Sequence, residues 1–335
     1  MISPVSDPKI SVVVTTYNRA QLLKKTLISL VGQTLADEEY EVIVIDDGSS
    51  DNTGQIVADL QVLAHFCYVY QPNSGLASAK NHGLFYSRSP IVLFLDDDDI
   101  ADPALLEQHL LAHKTFSDPN YAVLGHTNLA ANLRDDPLMS FVTSEGGHLF
   151  SYEYIPAAPS LDYSYFWGGR TSCKRKYLLS HGIFNPIFKF GFEDIELGFR
   201  LRSHGLHVVY WPKAVNTMIR HISLQRFLQR CFRQGESGYR FISLYPEHQE
   251  LAVGLSLVDA EAEWSKLSSN HHAVIEAAFH LDGMIRILQP NQLQDGAYYR
   301  NLLHFAYSRA FRAETLRGYI DALGSSRLAL ATSPV

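Results

Sequence analysis

The first 130 residues alternate two periods, and this alternation restricts the fold more than any other feature of the chain. KISVVVTTY (9–17) is β-branched and nearly all apolar, the pattern of a strand covered on both faces. In the following NRAQLLKKTLISLVGQT, apolar residues recur at Leu22, Leu23, Leu27, Leu30 and Val31, the stripe of an amphipathic helix that Asn18 is placed to cap. The pair of patterns then returns three times. YEVIVID (40–46) precedes DNTGQIVADLQVLAHF, CYVYQ (67–71) precedes GLASAKNHGLFYS, and IVLFL (91–95) precedes a helix opened by Asp102 as cap and Pro103 as first residue. YAVLGHTNLA (121–130) reads as a fifth strand. Strand–helix alternation with short connections implies right-handed crossovers and an α/β fold: a mainly parallel, Rossmann-like sheet with helices on both faces.

Ligands of such sheets bind beyond the carboxyl ends of the strands. The polar stretches here fall at those ends: Thr15–Thr16–Tyr17–Asn18, Asp46–Asp47–Gly48–Ser49, and the four aspartates Asp96 to Asp99 that follow IVLFL. The acidic run therefore reads as the rim of a crevice. From about 140 to 170 the sequence is aromatic and rich in proline and glycine, the mark of long loops, which in compact domains carry function. EDIELGFRLRSHG restores a helix stopped by Gly205, and LHVVYW a strand. Beyond His221 the chain reads as helical, with breaks near Pro246, Ser268–Ser269 and Pro290. The expected organisation is an α/β domain over 1–221 and a helical C-terminal region over 222–335.

Composition limits the partners. Among 335 residues, 28 basic side chains against 35 acidic ones give a net charge of −7, which argues against a general nucleic-acid binder. Cys67, Cys173 and Cys231 form no disulfide framework or zinc spacing, so a reducing compartment is the simpler reading. The N-terminal MISPVSDPKI lacks the pattern of a signal peptide, and no apolar run is long enough to span a membrane. The expectation is a cytoplasmic protein, with peripheral contact at the inner membrane face left open.

Four stretches together resemble the glycosyltransferase family 2 enzymes of GT-A fold: SVVVTTYNR (11–19), VIVIDDGSSDNT (42–53), VLFLDDDDIADP (92–103) and GFEDIELGFRLRSHG (191–205). The resemblance covers roughly residues 8–221. It implies an inverting transfer of sugar from a nucleoside diphosphate sugar to a hydroxyl, with a carbohydrate or lipid-linked acceptor in glycan or glycolipid synthesis. Asp96 and Asp98 fall on the family's Asp-X-Asp positions, although a run of four leaves the register open by one residue. The departing diphosphate needs neutralising, and carboxylate oxygens suit a hard cation, Mn2+ or Mg2+, which also relieves repulsion among the acids.

The resemblance assigns the other roles. Asp98 binds the metal, and Asp96 the metal or the ribose, with Asp97 beside them in the donor site. Asp47 accepts an N–H from the base, which favours a UDP-sugar, although guanine also offers donors. Thr15 and Tyr17 line the base pocket, with core packing the other reading of Tyr17. Lys80 lies near the diphosphate, or is a surface lysine. Asp194 is the catalytic base, at a helix start where the macrodipole favours an ionised carboxylate, with an ordinary acidic helix N-terminus the other reading. Glu193 binds the acceptor or holds the loop, and His221 completes the metal site or touches the diphosphate, with a chance match among fifteen histidines the other reading.

Other features keep their alternatives. Trp167, Gly168 and Gly169 suit an acceptor site or a structural tryptophan. Arg226, Arg230 and Arg233 share a helix face that fits an anionic acceptor or membrane surface, or simply packs on the domain. His109 and His113 have two-histidine metal spacing but no third ligand, so a solvated helix face is expected. Two rival functions stand. A nucleotidyltransferase would carry a glycine-rich loop after the first strand, where this chain has TTYNRAQ. A non-catalytic nucleotide-sugar scaffold would have no need of Asp194.

Overall fold

The computed structural model describes residues 7–61, 66–150, 152–288 and 296–332. The expected break at Pro290 and the end of the second helical run, 62–65, lie outside them. The chain divides into two compact units, Met1–Ala130 with Ile155–Arg220, and Ala131–Tyr154 with His221–Val335. Residues 131–154 thus group with the C-terminal helices, which no sequence signal indicates.

The first unit is built on one eight-stranded sheet. Its strands are β1 (Ile10–Thr16), β2 (Tyr40–Asp46), β3 (Phe66–Tyr70), β4 (Ile91–Asp96), β5 (Asp99–Ala101), β6 (Tyr121–Leu129), β7 (Thr171–Lys174) and β8 (His207–Met218), in the order β3-β2-β1-β4-β7-β6-β8-β5. The β3-β2-β1-β4 half is parallel, as the alternation predicts. β7 then runs antiparallel to both β4 and β6, β6 and β8 are parallel, and β5 is antiparallel to β8. Helices α1 (Ala20–Val31), α2 (Thr53–Leu60), α3 (Leu76–Tyr86) and α4 (Leu105–Thr115) alternate with the early strands. The second unit takes α5 (Pro137–Thr143), and α6 (Arg175–His181) and α7 (Glu193–Arg202) return to the first.

Alternate residues of each parallel strand feed opposite layers, because strand side chains alternate faces. Val12, Val14, Val42, Val44, Leu93 and Leu95 pack with Leu23, Leu27 and Leu30 of α1 and with α2 and α4. Val13, Ile43, Ile45, Val92 and Phe94 pack with α3, α6 and α7. This two-sided burial explains why the strands read as unbroken apolar runs.

Two expected helix starts differ. Asn18 does not cap α1. It sits at φ 51°, and its Oδ1 accepts the Ser50 N–H at 2.8 Å, while Asp51 Oδ2 accepts the Ala20 N–H at 3.1 Å. A carboxylate from the β2–α2 loop thus does the capping work. Asp102 and Pro103 form a turn rather than the first residues of α4, which begins at Leu105; Asp102 Oδ1 accepts the Ala104 N–H. The preceding segment is committed to β5, whose pairing with β8 was not foreseen because three residues carry no periodic signal.

His109 and His113 are not on a solvated face. They are 1% and 4% exposed, and both rings meet one hydroxyl: His109 Nδ1 is 2.8 Å and His113 Nε2 2.9 Å from Ser172 Oγ on β7. One hydroxyl proton can serve only one ring, so Ser172 donates to one imidazole and accepts from the other. The i, i+4 spacing that suggests a ligand pair here points two rings into the helix–sheet interface.

The second unit is helical: α8 (Leu224–Leu244), α9 (Gln249–Gly254), α10 (Ala260–Leu267), α11 (His271–Ile287) and α12 (Gly296–Thr332), besides α5. α8 and α12 cross on two glycines. A Cβ on Gly235 would collide with the Thr315 carbonyl, and one on Gly318 with the Phe232 carbonyl. Asp136 gathers Arg286 and His221, and Arg286 also pairs with Asp282 at 2.8 Å. No helix among the described residues is long and apolar enough to cross a membrane.

The histidine pair makes stability acid-sensitive. Burial pushes both rings down to about 3, so the folded protein keeps them neutral. The unfolded chain takes up protons near pH 6.5, which makes stability fall as pH drops below that value, by about 1.4 kcal/mol per pH unit for each ring. Urea midpoints should decline from pH 6.5 to 5, and His113→Gln should reduce that decline; a flat midpoint over this window would contradict the burial of these rings.

Candidate active site

The site forms where the strand order of the parallel half reverses, between β1 and β4. β1 lies between β2 and β4, and Thr16 stands opposite Asp46 while Thr15 stands opposite Asp96. β2 and β3 lie on one side of β1 and β4 on the other, the arrangement in which ligands of such sheets bind beyond the carboxyl ends of the strands.

The four aspartates run from Asp96, the last residue of β4, to Asp99, the first of β5, and are treated very differently. Asp97, Asp98 and Asp99 are 2%, 4% and 1% exposed. Asp97 accepts Thr16 Oγ1 at 2.8 Å and Arg19 at 2.7 Å. Asp98 Oδ2 lies 2.7 Å from Arg220 Nε and 3.7 Å from Arg19. Asp99 accepts the Asn216 side-chain amide, while its Oδ1 has no hydrogen-bond partner among the described residues. The Asp96 side chain, 37% exposed, accepts Arg170 at 3.2 Å. Three arginines thus compensate the acidic run.

Protonation follows from these partners. Burial pushes Asp97 up to about 6 against the pull of Arg19, and pushes Asp99 well above the ordinary carboxylate range. Burial also opposes ionisation of Asp96, but Arg170 and then Lys80 outweigh it and hold that carboxyl below its usual value. Asp96 is therefore both the most accessible of the four and firmly ionised.

Lys80 and Glu193 form a buried pair, 2.8 Å from Nζ to Oε1, so Lys80 is no surface lysine. Burial disfavours its charge, but Glu193, Asp194 and Asp96 outweigh that and keep it protonated. α7 begins at Glu193, after Gly191 and Phe192 at φ 73° and 65°. Asp194 Oδ2 accepts the Gly168 N–H at 2.8 Å and its Oδ1 the Ile195 N–H at 2.8 Å, which fixes the carboxylate's direction.

Gly168 and Gly169 do more than widen a loop. A Cβ on Gly168 would lie 2.5 Å from Lys80 Nζ and 2.9 Å from Asp194 Cβ, and one on Gly169 would fall inside the Asp96 carboxylate. The glycine pair lets backbone run between Lys80, Asp96 and Asp194, and so brings the ends of β4, α3 and α7 together. Trp167 is half-buried, its Nε1 donating to Ser164 O at 2.9 Å.

Asp47 follows β2 and is 6% exposed. Its Oδ1 accepts Gln71 Nε2 at 2.7 Å and Ser74 N at 2.8 Å, and its Oδ2 accepts Gly75 N at 2.9 Å. Asp46 turns the other way, to Ser49 N and Tyr68 OH. Thr15 is half-buried at the end of β1, and Tyr17 is 48% exposed, so Tyr17 is not a core residue.

His221 Nε2 lies 3.0 Å from Asp136 Oδ2, and the preceding Arg220 is the residue that meets Asp98. Among the described residues no three acidic, histidine or cysteine side chains are arranged to hold a metal. On α8, Phe227 and Leu228 are buried and Arg226 is exposed; Arg233 lines a surface cleft of about 390 Å³ with Gln229, Phe232 and Arg317. The sequence reading missed Arg19, Arg170, Arg220 and Gln71. Three of these had a signal: a buried acidic run requires cations, and an arginine ends TTYNR, GGR and MIR.

Residues 11–133 match the model of Glycosyl transferase family 2 and residues 91–237 that of Glycosyl transferase family group 2, so the chain belongs to glycosyltransferase family 2 over this span. Validoxylamine A glucosyltransferase of Streptomyces hygroscopicus subsp. jinggangensis is 34% identical over 222 residues, covering 59% of this chain and 52% of that protein. Chondroitin synthase of Escherichia coli is 30% identical over 230 residues, 59% of this chain and 33% of that one. The chain spans about half the length of the first of these relatives and less of the second. Two solved structures share the architecture. Mannosyltransferase PcManGT from Pyrobaculum calidifontis, in complex with GDP-Man and Mn2+, has a TM-score of 0.61 at 18% identity, covering 96% of this chain and 89% of that one. S. aureus TarS 1-349 in complex with UDP-GlcNAc has 0.56 at 17%, covering 96% and 92%. The fold is GT-A with a helical C-terminal region, as the sequence implies.

The glycine pair yields a direct test. Gly169→Ala should displace Asp96 and lower kcat/KM for sugar transfer about 10²-fold, the usual cost of an ångström-scale misplacement. A variant of unchanged kcat/KM and unchanged melting temperature would show that the position of Asp96 is immaterial.

Proposed function

We propose that the chain is a metal-dependent, inverting glycosyltransferase that moves a sugar from a nucleoside diphosphate sugar, UDP favoured, to a hydroxyl of a carbohydrate or lipid-linked acceptor in glycan or glycolipid synthesis. The observation that carries this reading is the convergence of Asp96, Lys80 and Asp194 around the Gly168–Gly169 backbone. An accessible ionised carboxylate, a buried cation and an oriented carboxylate in one corner are the groups that donor binding and hydroxyl activation require.

The donor set fits a hard divalent ion. Asp96 and Asp98 offer carboxylate oxygens only, and a cation such as Mg2+ or Mn2+ commonly takes one or two of these and completes its shell with phosphate and water. That agrees with the lack of a three-residue cage among the described residues. When bound, the ion would supply charge neutralisation for the departing diphosphate. His221 remains a third proposed ligand, in exchange for Asp136. Asp97 lies under the donor with Thr16 and Arg19, Asp47 reads the base beside Thr15 and Tyr17, and Lys80 faces the diphosphate.

Asp194 takes the acceptor proton in this scheme. Its two backbone N–H bonds hold the carboxylate in one orientation, so that the hydroxyl oxygen attacks the anomeric carbon opposite the leaving phosphate. Glu193, through Lys80, fixes the start of α7 on which Asp194 stands. Residues 1–221 form the catalytic domain and 222–335 the acceptor side or an oligomer contact, with no nucleic-acid partner. A cytoplasmic site with peripheral membrane contact suits a lipid-linked acceptor.

Two experiments test this. In a thermal-shift panel of UDP-, GDP- and dTDP-sugars, a UDP compound at 100 times its Kd with Mn2+ should stabilise by about 2.7 kcal/mol, and Asp98→Asn should lose that gain. Equal shifts with and without metal would remove the metal from the scheme. Asp194→Asn should keep the donor shift and lose 10²- to about 10⁴-fold in transfer rate, whereas retained transfer would exclude Asp194 as base.

A further inference from the structure

Asp47 is already hydrogen-bonded on three of the roughly four acceptor positions that a carboxylate has. Gln71 and Ser74 N fill Oδ1, and Gly75 N takes one position on Oδ2. The Gln71 contact is itself held from behind: its Oε1 lies 2.7 Å from His82 Nδ1 on α3. The direction of this chain is fixed by chemistry. A carboxylate can only accept, so Gln71 must present its amide N–H to Asp47 and turn its carbonyl oxygen to His82, whose Nδ1 must then carry the proton. The Ser74–Gly75 loop is anchored from the other side, where Lys189 Nζ donates to Ser74 O at 2.8 Å and Leu76 N to Lys189 O at 3.3 Å.

We infer that Gln71, held by His82, is a specificity-determining residue that leaves Asp47 a single open acceptor and so selects a base with one imide N–H, uracil or thymine, over guanine. The inference rests on the reading of this crevice as a nucleotide-sugar site. Guanine offers an adjacent ring N–H and amino group, a pair that matches both oxygens of one carboxylate. At Asp47 the second of these donors meets an Oδ1 that is already saturated. Guanine would therefore bind with one buried donor unsatisfied, or displace Gln71 and leave that amide unsatisfied. Uracil and thymine present one N–H and need only the open position on Oδ2.

Isothermal titration of the full chain with UDP, dTDP and GDP, each with Mn2+, tests this. UDP or dTDP should bind about tenfold or more tightly than GDP, the usual penalty for one unsatisfied buried donor. The UDP and dTDP arms separate the two imide bases from each other. Gln71→Ala frees an acceptor on Oδ1 and should narrow the preference over GDP to about threefold or less, which the general weakening from a purely structural defect would not do. His82→Asn retains an N–H near the Nδ1 position and should keep the preference, while His82→Ala should narrow it. Melting curves establish that each variant is folded, and the His82 pair carries the test should Gln71→Ala not fold. GDP binding as tightly as UDP to the unaltered protein, or a preference unmoved in both Gln71→Ala and His82→Ala, overturns the inference but leaves the donor reading intact. Binding of none of the three nucleotides overturns both.

Discussion

Everything at the active corner depends on keeping buried negative charge next to the end of β4. An unpaired carboxylate in the interior costs several kcal/mol, and three consecutive ones repel each other as well. The fold meets that cost with cations drawn from separated parts of the chain: Arg19 before α1, Arg170 before β7 and Arg220 after β8. Their arrival requires the sheet order itself, since β1 and β7 flank β4 and β8 reaches the acidic run through β5. The acidic corner is thus a consequence of topology, its charge balanced from as far as 122 residues away, the separation of Asp98 and Arg220.

The same dependence explains what could be read in advance. The parallel half of the sheet is legible in SVVVTT, VIVID and VLFLD because burial on both faces writes an unbroken apolar run. β5 and β7 are three and four residues long and carry no such pattern, so their antiparallel places in the sheet emerge only from long-range pairing. His109 and His113 mislead for a related reason: helical spacing tells that two side chains share a face, and not whether Ser172 of a distant strand covers it.

At the site, residue type was a better guide than local position. The acidic run lies at the end of β4 and Asp194 in the first turn of α7, and Lys80 proves buried beside Glu193. The partners were harder to see. Asn18, predicted as a cap, instead ties the β1–α1 turn to Ser50, while Asp51 serves α1 from across the sheet end. Asp46 and Asp47 are adjacent and chemically alike, yet one bonds Ser49 and Tyr68 while the other is bonded on three positions by the Gln71 to Gly75 turn. Only strand pleating and loop closure distinguish them.

The helix crossing at Gly235 and Gly318 has its own consequence for how the C-terminal unit can diverge. Where two backbones touch without intervening side chains, adaptation can proceed by erosion but not by growth. Buried side chains of the same helices, such as Leu316 or Phe241, can be trimmed at a graded loss, whereas an added carbon at either glycine meets the backbone of the other helix and must push the two apart there. Descendants of this chain would then vary in the outward face of α8 while inheriting the spacing of its inward face unaltered.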